Sequence, residues 1–186
     1  SSTLTQWYLQ SFSPIYVDKP FEITCNEGFS IKSEKWDAFA TSISARELYF
    51  IYKDHKSDLF SANVRDYLGD READTNINFG IKESVRKQPQ DFWVFNNGLT
   101  ILTNDFSHSD SEKKLLLQGM SVVNGAQTTG AIGTLKNPPK DDSKILVRFI
   151  KVHNTSRSLI GNIVKFNNSQ NKVTAADFRS NDEIQK

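Results

Sequence analysis

The chain has 186 residues, 37% hydrophobic and 11% aromatic, which suits a folded domain with a real core and excludes a disordered polypeptide. Its 23 basic and 22 acidic residues provide no overall basic field of the kind that advertises nucleic acid. One cysteine, Cys25, excludes an internal disulfide and a Cys-type zinc site, and no apolar run approaches the ~20 residues that span a bilayer.

In chain order, Ile15-Tyr16-Val17 and Phe21-Glu22-Ile23-Thr24 read as short strands separated by an Asp18-Lys19-Pro20 turn. Ser33 is placed to cap a helix from about Lys35, with Trp36, Phe39, Ala40 and Ile43 on one face. A second helix is predicted from about Ala45 to Lys53, and Leu59 to Arg65 reads as extended. Ile77, Ile81 and Val85 recur every four residues, predicting a helix from Asn76 to Lys87 that ends before Pro89. Phe92-Trp93-Val94-Phe95, Asn96-Asn97-Gly98 and Leu99-Thr100-Ile101-Leu102 then read as strand, turn and strand, because Asn-Gly between apolar runs is a hairpin signal.

Leu115–Leu117, Met120–Val123 and Ile145–Val152 supply further strands. A helix is predicted from about Ser156 to Asn168, followed by an Asn-rich turn and a short helix capped by Thr174. Helices and strands without regular βαβ alternation predict an α+β fold, a mixed sheet with flanking helices.

The most informative stretch is Val122-Val123-Asn124-Gly125-Ala126-Gln127-Thr128-Thr129, which reads as a buried strand, a tight turn and the start of a helix. Gly125 permits a positive φ or a close backbone approach. A helix start offers unpaired N–H donors and partial positive charge, so this turn is either an ordinary connection or a seat for a phosphate or carboxylate. The chain lacks a Walker lysine and a complete G-x-G-x-x-G pattern here.

Other residues divide between structural and ligand roles. Arg65 either pairs with Asp66 or contacts a phosphate, with Asn63 beside it. Asn96, Asn97 and Gly98 form a hairpin turn or offer amides to a base or sugar. Asn167, Asn168, Gln170 and Asn171 cap a helix or clamp a ligand backbone. His55, His108 and His153 read as surface histidines without partners at metal-ligand spacing, and Cys25 as buried and inert. From Lys144 to Lys186 there are eight Lys/Arg and three Asp/Glu, consistent with a solvated surface or an anion-facing C-terminal lobe.

The segments Leu59-Phe60, Asn63-Val64-Arg65 and Leu68-Gly69, then Phe92 to Ile101, Val122 to Thr129 and Asn167-Asn168-Ser169-Gln170-Asn171 with Asp177-Phe178-Arg179-Ser180, resemble the AIPR family in the same order. Those are bacterial abortive-infection phage-resistance proteins. The resemblance covers roughly Ser44 to the C-terminus and implies an AIPR-like α+β domain over 44–186, with 1–43 as an N-terminal segment that carries none of its motifs. A more distant likeness links the Asn-x-Arg segment, the Gly turn and the Asn-x-Gln helix end to ParB/sulfiredoxin-like nucleotide-binding domains. In those domains an Arg or His follows the Gly turn; here Thr128 and Thr129 stand there, so Arg65 or Arg148 must bring charge from elsewhere.

The resemblance implies a phage-defence domain; the single cysteine fits the reducing cytoplasm, and the chemistry of the Asn-Gly turn adds a nucleotide or nucleic-acid phosphate as its partner, at no membrane. One alternative is a metal-dependent nuclease or nucleotide hydrolase, with Asp66 and Asp177 holding Mg²⁺ beside a nucleotide. Another is an interaction module. The chain lacks an initial Met and ends Ser180-Asn181-Asp182-Glu183-Ile184-Gln185-Lys186, a helix cap and first turn, and so reads as part of a longer protein or a partner to another defence subunit.

Overall fold

The computed structural model describes Ile15 and residues 17–63, 75–109, 111–140 and 142–169. Seven strands form one mixed sheet: β1 (Val17–Thr24), β2 (Phe29–Lys32), β3 (Trp36–Ser44), β4 (Leu99–Thr103), β5 (Asp105–Ser109), β6 (Lys114–Asn124) and β7 (Lys144–Val152). The order is β1-β6-β4-β7-β3-β2, with β5 also on β6. Only the β4–β7 pairing is parallel among these strands. The α-helices are α1 (Ala45–His55), α2 (Thr75–Lys87), α3 (Phe92–Phe95), α4 (Ala126–Gly133) and α5 (Ser158–Ser169). This is the α+β architecture expected from the mixed pattern of elements.

The two faces of the sheet carry separate cores. On one, Phe39, Ile43, Ile101, Val122, Val147 and Phe149 belong to the large apolar cluster that takes in Leu48 and Ile51 of α1, Val85 of α2 and Ile132 of α4. On the other, Ala38, Leu102, Val123 and Ile150 form a smaller cluster packed by Ile160, Ile163 and Val164 of α5. The alternation of side chains along a strand makes this division. In β7, Val147 and Phe149 face the large core, so Arg148 and Ile150 face the other way.

Helix α1 begins where Ser44 caps it, its hydroxyl accepting from Glu47 N at 3.1 Å, with Lys53 and His55 in the last turn complementing the helix dipole. Helix α2 buries Val85 and half-buries Ile81, while Ile77 stays exposed. No helix among the described residues is long and apolar enough to cross a membrane.

Several local expectations are overturned. Residues 36–44 form β3 rather than a helix. The 3–4 spacing of Trp36, Phe39, Ala40 and Ile43 is incidental; Phe39 and Ile43 instead share one strand face, and β3 pairs with β7 over its whole length. Ser33 closes the β2–β3 turn instead of capping a helix, its N–H donating to Trp36 O at 2.8 Å. Residues 56–63 form a 3₁₀ stretch kinked at Phe60, where an extended segment was expected. Leu59 and Phe60 are consecutive and both buried, which strand alternation would not allow on a one-sided surface.

Phe92–Phe95 is one turn of helix, not a strand. Only Phe92 enters the core, and Val94 and Phe95 N–H groups bond back to Asp91 O. The expected hairpin is therefore absent: both edges of β4 are taken, by β6 and β7. Val17 and Phe21–Thr24, read as parts of two short strands, belong to one strand, β1, which runs on through Asp18-Lys19-Pro20 with a register shift between Val17 and Pro20. Proline is tolerated there because β1 lies at the sheet edge. Leu115–Leu117 and Met120–Val123 likewise merge into β6.

Candidate functional site

The turn after β6 is built by Gly125, at φ +90°, the left-handed region that favours glycine. A Cβ there would lie 2.2 Å from Leu99 Cδ2 and 2.9 Å from Gly98 O. Gly98, at φ +82°, is similarly pressed against β7, where a Cβ would meet Leu146 O at 2.6 Å. These approaches bring the Asn96-Asn97-Gly98 and Asn124-Gly125 segments together beside β7.

Asn96 ties the two segments. Its Oδ1 accepts from Gly98 N at 2.8 Å, and its Nδ2 donates to Thr128 Oγ1 at 2.9 Å. Thr129 is fully buried and returns its hydroxyl to Gly125 O at 2.9 Å. Both threonine hydroxyls thus serve the turn, and Thr129 has no route to a solvent-borne ligand. Asn124, Gly125 and Gln127 are half-buried, so the bend itself opens to the surface. A helix start there presents amide donors outward.

Across the sheet, Thr100 is in register with Asn124 on one side and with Arg148 on the other. Arg148 Nη2 donates to Thr100 Oγ1 and to Asn167 Oδ1, each at 3.0 Å. Asn167 in turn donates to Ile163 O at 2.8 Å, fixing its amide on α5. Arg148 therefore has neutral partners among the described residues, and its charge remains uncompensated there. The arrangement joins Asn96, Gly98, Asn124, Gly125, Arg148 and Asn167 at one end of the sheet, with Asn168 next along α5. Strand spacing places Arg148 roughly 10 Å from the Asn124 strand position, within the span of one nucleotide-sized ligand.

Asn97 is exposed beside this cluster, and Asn96 half-buried. Asn63 ends the 3₁₀ stretch, whose Ala62 N–H donates to Ser121 Oγ of β6 at 3.0 Å. Arg65, Asp66, Gln170, Asn171 and Asp177 lie outside the described residues. Arg148 carries more weight here than its sequence motif suggests; its signal is a cation in the middle of the apolar run Ile145–Ile150.

The histidines serve local structure. His55 sits edge-on to Phe21, and His108 stacks on Phe39 with ring centroids 4.3 Å apart. His153 Nε2 lies 3.2 Å from Asp37 Oδ2, and Nδ1 lies 3.0 Å from Glu34 O. Both partners are acceptors, so only the imidazolium can donate to both. The Asp37 carboxylate, and after it the Glu34 carbonyl, hold the His153 pKa above its ordinary 6.5. A raised folded-state pKa gives stability that is complete below the unfolded value and lost as pH rises through the folded value. Thermal melts across that interval should show a decline in the native chain that His153→Gln lacks; parallel pH profiles would remove this clasp from the account.

A cavity of about 550 Å³ opens elsewhere, between β1 and α1, with Phe21, Arg46, Phe50 and His55 in its wall. Its lining mixes Lys19 and Arg46 with Glu22, Glu47 and Asp54, which favours no one charge of ligand. The AIPR family model, described as AIPR protein, matches residues 60–186, more than half of the chain. The chain belongs to the AIPR family. The cavity is lined by residues 19–55, wholly outside that match, whereas the Arg148 cluster lies wholly inside it. Family membership points to abortive-infection phage defence as the biological setting of this AIPR domain. No curated protein and no solved structure gives a significant match.

Proposed function

We propose that this AIPR domain binds a nucleotide, or the phosphate backbone of nucleic acid, at the end of the sheet where the Asn-Gly turn meets Arg148. One observation carries the reading: segments far apart in sequence converge on a guanidinium whose described partners are neutral. A planar guanidinium matches phosphate oxygens in pairs, and a helix start adds directed amides. The amides of Asn96, Asn124, Asn167 and Asn168 orient and recognise; they have no pKa suited to proton transfer. Arg65, Asn63, Gln170 and Asn171 complete the proposed binding set. In the hydrolase alternative, Asp66 and Asp177 would hold Mg²⁺ against a bound phosphate.

Titration with nucleoside mono-, di- and triphosphates and with short oligonucleotides, at low and high salt, tests the binding. Binding should weaken with salt, and Arg148→Ala should lower affinity about ten- to a hundred-fold, as expected for losing a charge-assisted hydrogen-bond pair. Arg148→Lys should recover only part of it, because a point charge replaces the fork. Wild-type affinity in Arg148→Ala, or no binding at millimolar ligand, would reject the proposal.

A further inference from the structure

The sheet face that carries Arg148 is only partly covered. Helix α5 packs chiefly on β6, and its apolar residues join a cluster of Leu102, Val123, Ile150 and Ala38 toward one end of this face. Toward the other edge the register runs Thr100, Arg148, Ala40 and Phe29 in one row across β4, β7, β3 and β2. Residues in register project to the same face. Phe29 is 62% exposed, and Ile31, two residues along the same strand face, is 52% exposed. Leu146, adjoining Arg148 on this face of β7, is 43% exposed. The row thus sets an open aromatic ring about two strand spacings, roughly 10 Å, from a guanidinium.

The charge of this region selects the partner. Residues 144–169 contain Lys144, Arg148, Lys151, Arg157 and Lys165 and no Asp or Glu. Lys151 is engaged by Asp105 at 2.7 Å, but Arg148 meets only neutral groups among the described residues. An apolar face for another protein would not need a cation at its centre with no acidic counterpart in the surrounding strand and helix. Aromatic and apolar side chains beside unpaired positive charge suit a polymer that carries flat bases and phosphates together.

We propose that this open face is a platform for single-stranded nucleic acid, with a base stacked on Phe29 and the backbone phosphate drawn to Arg148. The proposal rests on the reading of Arg148 as an anion contact and extends it from a phosphate site to a strand of several nucleotides. Stacking between successive base pairs in a duplex would bury the flat faces that Phe29 needs, so duplexes are disfavoured.

Anisotropy titrations of the full chain with labelled twelve-nucleotide oligo-dT and oligo-U, a duplex of equal length and a labelled mononucleotide provide the test. Single strands should bind more tightly than the duplex or the mononucleotide. Phe29→Ala should weaken single-strand binding about ten-fold, within the range for a lost base stack, and leave the mononucleotide bound as before. Phe29→Trp should restore affinity, with indole emission quenched on binding. Because Phe29 is exposed, an unchanged melting temperature in Phe29→Ala is expected and confirms that the fold is intact. Unaltered single-strand affinity in Phe29→Ala, or equal affinity for the duplex, would overturn the platform while leaving the phosphate site standing. Loss of a dimer in Phe29→Ala, seen by light scattering and without an effect on nucleic acid, would overturn it in favour of a contact between copies. Failure of every nucleotide and oligonucleotide to bind would instead remove the underlying phosphate reading.

Discussion

Gly125→Val is expected to destabilise the domain by about 2–4 kcal/mol, adding the penalty of a left-handed backbone to that of overpacking. For a chain of this size that is a fall in melting temperature on the order of 5–15 °C. The glycine sits at φ +90°, and an added Cβ would meet Leu99 Cδ2 at 2.2 Å and the Gly98 carbonyl at 2.9 Å. The leucine methyl can shift; the carbonyl belongs to a segment itself pressed on β7 and has little room to give. A β-branched residue makes the backbone strain worse. Gly130, the fifth residue of α4, supplies the control: a Cβ there meets nothing within 4 Å. Gly130→Ala should therefore be neutral or stabilise slightly, since alanine favours a helix over glycine. Denaturant unfolding of the two variants checks the contrast, and a Gly125→Val protein as stable as wild type would mean that the turn is not held as described. The same contacts make Gly125→Val a poor probe of ligand binding. It disturbs the fold along with any site, whereas Arg148 can be changed on the surface.

The contrast also marks what could be read from the sequence. The Asn-Gly turn and the helix after it were legible because only a few residue types tolerate such a backbone, so local chemistry decides the structure there. The long apolar strand β7 and the helices α1, α2 and α5 were legible for a similar reason: each repeats its pattern over nine or more residues. Residues 36–44 were not, because Phe39 and Ile43, four residues apart, fit a helix face and a strand face about equally, and only pairing with β7 decides between them. Phe92–Phe95 failed in the opposite direction. Four consecutive apolar residues look like a buried strand, yet Trp93, Val94 and Phe95 face outward because β4 already has two partners.

The candidate site was legible in pieces. Asn96, Gly98, Asn124 and Asn167 announced themselves by residue type, but their common position at one sheet end depends on β4 lying between β6 and β7, a long-range fact. Arg148 illustrates the limit. In sequence it is a cation within Ile145–Val152, and nothing local says whether it is a sheet-edge lysine substitute or the centre of a polar cluster. The register with Thr100 and the bond to Asn167 supply that answer.

Two adjacent residues of β7 should therefore behave in opposite ways. Phe149 is fully buried and stands in register with Ile101 on one side and Phe39 on the other, at the centre of the large core. Phe149→Ala is expected to cost about 3–5 kcal/mol, because close-packed neighbours collapse only partly into the space left. That is a large fraction of the total stability of an ordinary domain, and the variant should be partly unfolded near physiological temperature. Phe149→Leu keeps most of the volume and should lose less than half as much. Arg148, one residue away, points to the other face and bonds to two polar side chains at the surface, so its removal should leave the unfolding transition within about 1 kcal/mol of wild type. Paired denaturation curves for Phe149→Ala and Arg148→Ala, read together with the binding titrations, separate a scaffold role from a ligand role along one strand. If both variants unfolded alike, Arg148 would belong to the framework of the sheet, and its loss of binding would carry no information about a site.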